Sequence, residues 1–306
     1  MKQYLGILIS VLYAIVVRFL AENAILDINS YSYLIVTPML VGFIPFYLKQ
    51  ESFLQSRVKT ILFPLISVLL FLIIAVISRW EDLICFAIIG IPYIFLSIFM
   101  SILLRHFLKK DDKGINKNVL PIFLLPIILG SIEQQFPKNQ QELFISNEIE
   151  ILASKQEVWS NLLEVPDLSK EKYNGLIHYF DVPRPIKSTY DAKSNIRLGY
   201  FENGIVLNES VVQNIEYKKL VFSINISESE LNNSPTLRHV LESQSIEFKS
   251  ISYELTSIGE NKTKLRLNTQ FKIHSNLSFY GKFWSKMIIE DFEKNLLNSL
   301  KSVIEG

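Results

Sequence analysis

Apolar positions crowd together along residues 1–136 with almost no alternation, and from residue 137 onward they break into short periodic patterns. The first part holds five apolar runs, at about 4–21, 31–48, 60–77, 83–104 and 118–133. Tyr31–Leu48 and Thr60–Ile77 are each 18 residues without a charge, and Leu83–Leu104 is 22. A helix rises about 1.5 Å per residue, so a hydrocarbon core of ~30 Å needs roughly 20 residues. The pattern therefore predicts an α-helical membrane domain of four spans and a marginal fifth. The first run is 14 residues, Tyr4–Val17, and reaches Ala21 only if Arg18 snorkels to the interface, paired with Glu22 four residues on. With Lys2 and small residues near Ala21 and Ala24 it also fits a cleaved signal peptide, but the strong runs that follow favour an anchor. The fifth run, Val119–Ile132, holds Pro121 and Pro126 and ends against Glu133. Prolines at 38, 45, 64 and 92 lie inside the other runs, so the carbonyls they free need neighbouring helices, as in a packed bundle.

Residues 137–306 read as a mixed α+β domain. Ile149 and Ile151 alternate with Glu148 and Glu150, which makes Asn147–Ala153 a half-buried strand. Ser154 and Glu157 form a capping box that opens a helix over Lys155–Leu163. A second helix is expected over Ser169–Phe180, ended by Val182-Pro183-Arg184-Pro185. Strands follow at Ile186–Ala192, Asn195–Phe201, Ile205–Gln213, Lys218–Ile226, Ser245–Ile258 and Thr263–His274. Glu202-Asn203-Gly204 and Gly259-Glu260-Asn261 supply hairpin turns, and polar Ser227–Arg238 reads as a long loop. Tyr280–Glu305 is one amphipathic helix with a stripe of Phe283, Met287, Ile288, Phe292, Leu296, Leu300 and Val303.

Charge adds an orientation. The 306 residues carry a formal net charge of +1. Residues 1–136 hold 11 Lys+Arg against 8 Asp+Glu, a net +3, and the remainder hold 20 against 22, a net −2. Lys49, Arg57 and Lys59 fill one loop, and Arg105, Lys109, Lys110, Lys113 and Lys117 another. The positive-inside rule places both in the cytoplasm, and the N-terminus with them. The second domain then lies outside if the fifth run crosses, and inside if it does not. The basic loop Lys109–Lys117 is explained by orientation, with anionic lipid headgroups as the alternative. A slightly acidic second domain without a basic stripe argues against a nucleic-acid partner. Cys85 is the single cysteine, so no intrachain disulfide can form.

The order of strand, two short helices, six strands and long helix is that of the helix-grip fold. With the Ser-Lys-Gln-Glu-Val-Trp segment at 154–159 and the C-terminal helix, residues Gln141–Glu305 resemble the SRPBCC superfamily (START/Bet v 1-like, polyketide cyclase/dehydrase and lipid-transport domains). Most of the chain also resembles a group of uncharacterised bacterial membrane-anchored proteins carrying such a domain. The elements in common are Pro126…Glu133, Val182-Pro183-Arg184-Pro185, Tyr200-Phe201…Gly204, Glu209, His239-Val240 and Tyr280…Trp284. The resemblance implies a seven-stranded curved antiparallel sheet around the long helix, a bacterial inner-membrane location, and a hydrophobic small molecule or lipid held between sheet and helix. Such folds host many activities, so function must come from the site.

The residues expected to meet that ligand are Trp159, Tyr179, Arg184, Tyr200, Phe201, Glu209, His239, Tyr253, Phe283 and Trp284. For each aromatic the competing reading is a filled core. For Arg184 it is a salt bridge, for Glu209 a solvated strand position, and for His239 a loop anchor. His239 with Glu209 or Glu242 is the one pairing that could do acid–base work, as in a cyclase, dehydratase or hydrolase. A partner-docking domain is the remaining alternative. Nucleophile-elbow, phosphate-loop, dinucleotide and zinc-protease motifs are absent, and the four histidines are scattered, so neither cofactor nor metal is expected.

Overall fold

The computed structural model describes residues 4–23, 25–48, 50–110, 117–232, 234–237, 240–241 and 245–306. His239 and Glu242 lie outside these residues. The chain divides into two compact units, Met1–Lys138 with Ser275–Leu277, and Asn139–His274 with Ser278–Gly306.

The first unit is helical. Its helices are α1 (Leu5–Glu22), α2 (Ser32–Leu48), α3 (Gln50–Gln55), α4 (Arg57–Ile77), α5 (Leu83–Lys110) and α6 (Leu125–Glu133). Ser56 caps α4 by accepting from the Lys59 amide, and Arg105 donates to the carbonyls of Phe53 and Leu54 at the end of α3. Large apolar side chains point outward along the long helices: Leu8, Leu12 and Phe19 on α1, Leu70 and Ile73 on α4, Ile91, Phe95 and Phe99 on α5.

By length and composition three helices suffice to cross a membrane, Leu5–Glu22, Arg57–Ile77 and Leu83–Lys109. That is fewer than the four to five expected, because the other two apolar helices, Ser32–Leu48 and Pro121–Glu133, are shorter. Ser32–Leu48 falls one residue short of 18 and opens in a π-helical turn, Ser32–Val36. The fifth run is divided: a 3₁₀ segment, Lys117–Leu124, contains Pro121, and α6 begins afresh with Pro126 in its first turn. Each proline lacks the N–H that would continue the preceding turn.

Arg18 also differs from expectation. It pairs with Glu22 at 2.8 Å, but it turns inward and is fully buried instead of snorkelling. Its Nε donates to buried Glu81 at 2.7 Å and Nη2 to the Trp80 carbonyl at 3.0 Å. One guanidinium with three acceptors thus ties α1 to the α4–α5 loop.

Gly42 of α2 faces Ser97 of α5 so closely that a Cβ would stand 2.0 Å from the Ser97 carbonyl oxygen. That oxygen is backbone and cannot swing aside. Gly42→Ala is expected to cost about 1–3 kcal/mol or more through overpacking, read as a lowered midpoint of detergent-solubilised full chain on heating.

In the second unit the strands are β1 (Gln140–Ile151), β2 (Pro185–Asp191), β3 (Ile196–Phe201), β4 (Val206–Ile215), β5 (Lys219–Glu230), β6 (Ile246–Gly259) and β7 (Lys262–His274). They form one antiparallel sheet in the order β1-β7-β6-β5-β4-β3-β2. The helices are short α7 (Lys155–Ser160), a single turn α8 (Pro235–Leu237), and long α9 (Ser278–Glu305). The seven-stranded antiparallel sheet with its long C-terminal helix is the helix-grip arrangement.

Three elements depart from the pattern reading. β1 starts at Gln140 because its polar first turn-lengths still pair with β7, Gln140 opposite His274. β5 runs on to Glu230, opposite Val206, through residues read as loop. The second short helix shrinks to a 3₁₀ turn, Ile177–Phe180. Upstream, the Ser169 amide turns to the Asp167 side chain and the Leu168 amide bonds the Ile186 carbonyl, so the local backbone is committed elsewhere.

Along α9 the predicted stripe holds at Phe292, Leu296, Leu300 and Val303 but not in the first turns. Trp284, Ile289, Glu293, Leu296, Leu297 and Leu300 are buried, while Phe283 and Met287 are exposed.

Candidate functional site on the concave face of the sheet

Strand alternation decides what faces the long helix. Ile149 and Ile151 of β1, Leu265 and Leu267 of β7, Tyr253 and Leu255 of β6, and Leu220 and Phe222 of β5 join Leu296, Leu297 and Leu300 of α9 in one buried apolar cluster. Cross-strand pairing extends this face to β4 and β3: Phe222 lies opposite Val211, and Glu209 opposite Arg197.

Glu209 and Arg197 are therefore charges on a mainly apolar face, and both are buried. The Arg197 Nη1 donates to the Glu209 carboxylate. Its Nε donates to the Leu163 carbonyl at 3.1 Å, and its guanidinium lies over the Phe222 ring, 5.0 Å from the centroid. Two residues along β3 from Arg197 stands Gly199, where a Cβ would come within 3.1 Å of Glu209 Oε1. The glycine leaves the carboxylate its room. Burial pushes the Glu209 carboxyl above its usual range, and the Arg197 guanidinium pulls the other way. Tyr253 is buried on the same face, its ring 6.0 Å from Phe222, and burial pushes its hydroxyl up to about 12.

A second buried carboxyl comes from α9. Glu293 is 1% exposed and accepts from Thr269 Oγ1 at 2.5 Å and Asn147 Nδ2 at 2.7 Å. It rivets the helix to β7 and β1. Burial raises its pKa, opposed by these two hydrogen bonds. A carboxyl raised in the folded state stabilises fully below its unfolded pKa, and that contribution is lost as pH rises through the folded value. Denaturant midpoints of parent and Glu293→Gln full chain, taken upward from about pH 4.5, are expected to diverge, the parent losing ground as pH rises. A constant difference across that range would exclude a raised pKa for Glu293.

The other expected ligand residues are dispersed. Trp159 sits in the core on α7, edge-on to Tyr217. Phe201 stacks on Phe292 of α9 at 6.2 Å. Tyr200 lies opposite Lys187 of β2, whose ammonium is 5.3 Å from its ring. Tyr179 is 73% exposed and Phe283 55%. Trp284 is buried, edge-on to Phe283. Arg184 closes a loop: it pairs with Glu202 at 2.7 Å and donates to the carbonyls of Glu171 and Ser169. Of the candidates, the fold brings Glu209, Tyr253 and Phe201 to one face. Arg197, Glu293, Asn147 and Thr269 join them there without having been singled out in the sequence. Among the described residues no group of three or more His, Cys, Asp and Glu could hold a metal ion.

No protein-family model matches the chain, and no curated protein matches it. Solved structures do match about half of the chain. A protein of unknown function from Staphylococcus aureus is 11% identical, covering 55% of this chain and 96% of its own, with a TM-score of 0.36. Norcoclaurine synthase from Thalictrum flavum, in complex with dopamine and hydroxybenzaldehyde, is 12% identical over 54% of this chain and 87% of its own, with a TM-score of 0.34. A START superfamily protein from Mycobacterium smegmatis is 9% identical over 52% and 98%, with a TM-score of 0.32. At such identities and scores these likenesses carry no argument, and the fold rests on the strand order and the helix.

Proposed function

We propose that the chain is a bacterial inner-membrane protein whose helix-grip unit holds a hydrophobic small molecule or lipid against the concave face of its sheet. In this reading the helical unit is the anchor. The two shorter apolar helices complete a bundle of four to five spans around the three long ones, with the N-terminus in the cytoplasm. The helix-grip unit lies outside if Pro121–Glu133 crosses. The apolar outward faces of α1, α4 and α5 support the anchor. The observation that carries the binding reading is the Arg197–Glu209 pair. A sheet face built only for packing would be cheaper with apolar residues there, since desolvating two charges offsets their attraction. A polar end of an otherwise apolar ligand gives the pair a use. Tyr253 stands on the same face as a further hydrogen-bonding group.

The test uses the full chain in nanodiscs of one synthetic phosphatidylcholine. After solvent extraction, mass spectrometry is expected to find one equivalent of an apolar compound, or of a lipid other than the nanodisc's own. The charge-free double variant Arg197→Met with Glu209→Leu is expected to retain about tenfold less, the equivalent of ~1.4 kcal/mol of charge-assisted hydrogen bonding. A folded parent that carries nothing, and takes up nothing from a bacterial lipid extract, would refute the reading.

A further inference from the structure

The start of α9 shows solvent a face that does not fit a soluble surface. Phe279 is 85% exposed, Phe283 55% and Met287 37%. They recur at i, i+4 and i+8, so they share one side of the helix. Lys282 and Lys286 alternate with them along that side, both exposed. Lys286 also pairs with Glu290 at 3.6 Å. One turn past Met287, the Asp291 carboxylate accepts from the amides of Leu176 and Ile177, each at 3.2 Å. That contact fixes on the same helix a turn whose Leu176, Tyr179 and Phe180 are exposed as well.

Isolated surface aromatics need no explanation, but a clustered apolar face marks an interaction site. The composition selects among occupants. An apolar stripe flanked by lysines is the pattern of a helix lying in a bilayer interface, its rings at headgroup depth and its ammonium groups on anionic lipid. A protein partner would suit the phenylalanines equally well and give the lysines no common role.

We propose that the N-terminal half of α9, through Phe279, Phe283 and Met287 with Lys282 and Lys286, docks on the surface of a bilayer containing anionic lipid. The proposal rests on the membrane-anchor reading, because a tethered domain meets the bilayer at high effective concentration. It adds which face of the helix-grip unit turns to the lipid. It also places the bilayer against the helix that covers the concave face of the sheet.

The experiment uses full chain with Cys85→Ala, carrying one environment-sensitive dye on Phe283→Cys, and a second sample with the dye on Phe95→Cys, at an exposed position of α5. Both are placed in nanodiscs with bromine on the acyl chains, made of phosphatidylcholine alone or with phosphatidylglycerol. Bromine is expected to quench the Phe283 dye at least about twofold more when phosphatidylglycerol is present, and Lys282→Glu with Lys286→Glu to remove that excess. If the Phe95 dye is quenched and the Phe283 dye is not, the docking proposal is overturned and the anchor reading stands. If the unquenched sample is also a dimer, a second copy covers the face instead. If neither dye is quenched, the anchor reading fails and takes this proposal with it.

Discussion

Arg197→Met is expected to destabilise the helix-grip unit by roughly 3–5 kcal/mol, because it leaves the Glu209 carboxylate buried without its cation. Glu209 is 4% exposed and faces Gly199 and the ring of Phe201, neither of which donates a hydrogen bond from its side chain. Glu209→Leu is expected to cost less than Arg197→Met. The arginine keeps the Leu163 carbonyl and the face of Phe222 when its carboxylate is gone. The double variant is expected to recover most of the loss, since an apolar pair of similar volume packs without desolvating any charge. Hydrogen exchange of β3 and β4 in the full chain separates these cases from a general loss of fold. A cost below about 1 kcal/mol for Arg197→Met would mean that Glu209 is protonated in the native protein. Burial pushes it in that direction.

The second large effect is expected at Arg18. Arg18→Leu removes three donors at once, to Glu81, Glu22 and the Trp80 carbonyl. Glu81 is 4% exposed, so it loses its guanidinium in the protein interior, and the expected cost is again about 3–5 kcal/mol. A pair held at a wet interface would be worth no more than about 1 kcal/mol. The size of the loss therefore distinguishes the inward arginine from a snorkelling one. Thermal unfolding in detergent gives the comparison, and Glu81→Gln beside Arg18→Leu is expected to restore part of the midpoint. An unchanged midpoint in Arg18→Leu would show that the buried network does not hold α1 in place.

Much of the second unit was legible because its signals are local. The Asn203-Gly204 turn set the β3–β4 hairpin, and Asn203 adopts the left-handed conformation such a turn requires. The same turn contained the site. Arg197 and Glu209 stand at equal distance on either side of Asn203, so the hairpin places them face to face. Reading Glu209 without counting across the turn left its partner unnoticed. Glu293 was hidden for a different reason. It occupies a buried position on α9, and a carboxyl in an apolar stripe signals a mate only once β1 and β7 bring Asn147 and Thr269 beside it. The helix expected at Ser169–Phe180 failed because side chains claimed its amides, Asp167 that of Ser169 and Asp291 those of Leu176 and Ile177. In the helical unit, hydropathy located every apolar run. It could not tell that Arg18 turns toward Glu81, a partner 63 residues away.

The strand order has a consequence for how the protein is made. β1 and β2 follow one another in the chain yet form opposite edges of the sheet. The partner of β1 is β7, and Gln140 meets His274 only after the whole intervening segment has been synthesised. Loop closure on that scale gives high contact order and slow assembly. All the apolar helices of the first unit precede β1, so they leave the ribosome while the sheet is still incomplete. During that interval β1 presents an unpaired edge, and the charges of Glu142, Glu148 and Glu150 along it oppose pairing with the wrong strand. Biogenesis thus proceeds with every apolar helix of the first unit already made before the grip can close.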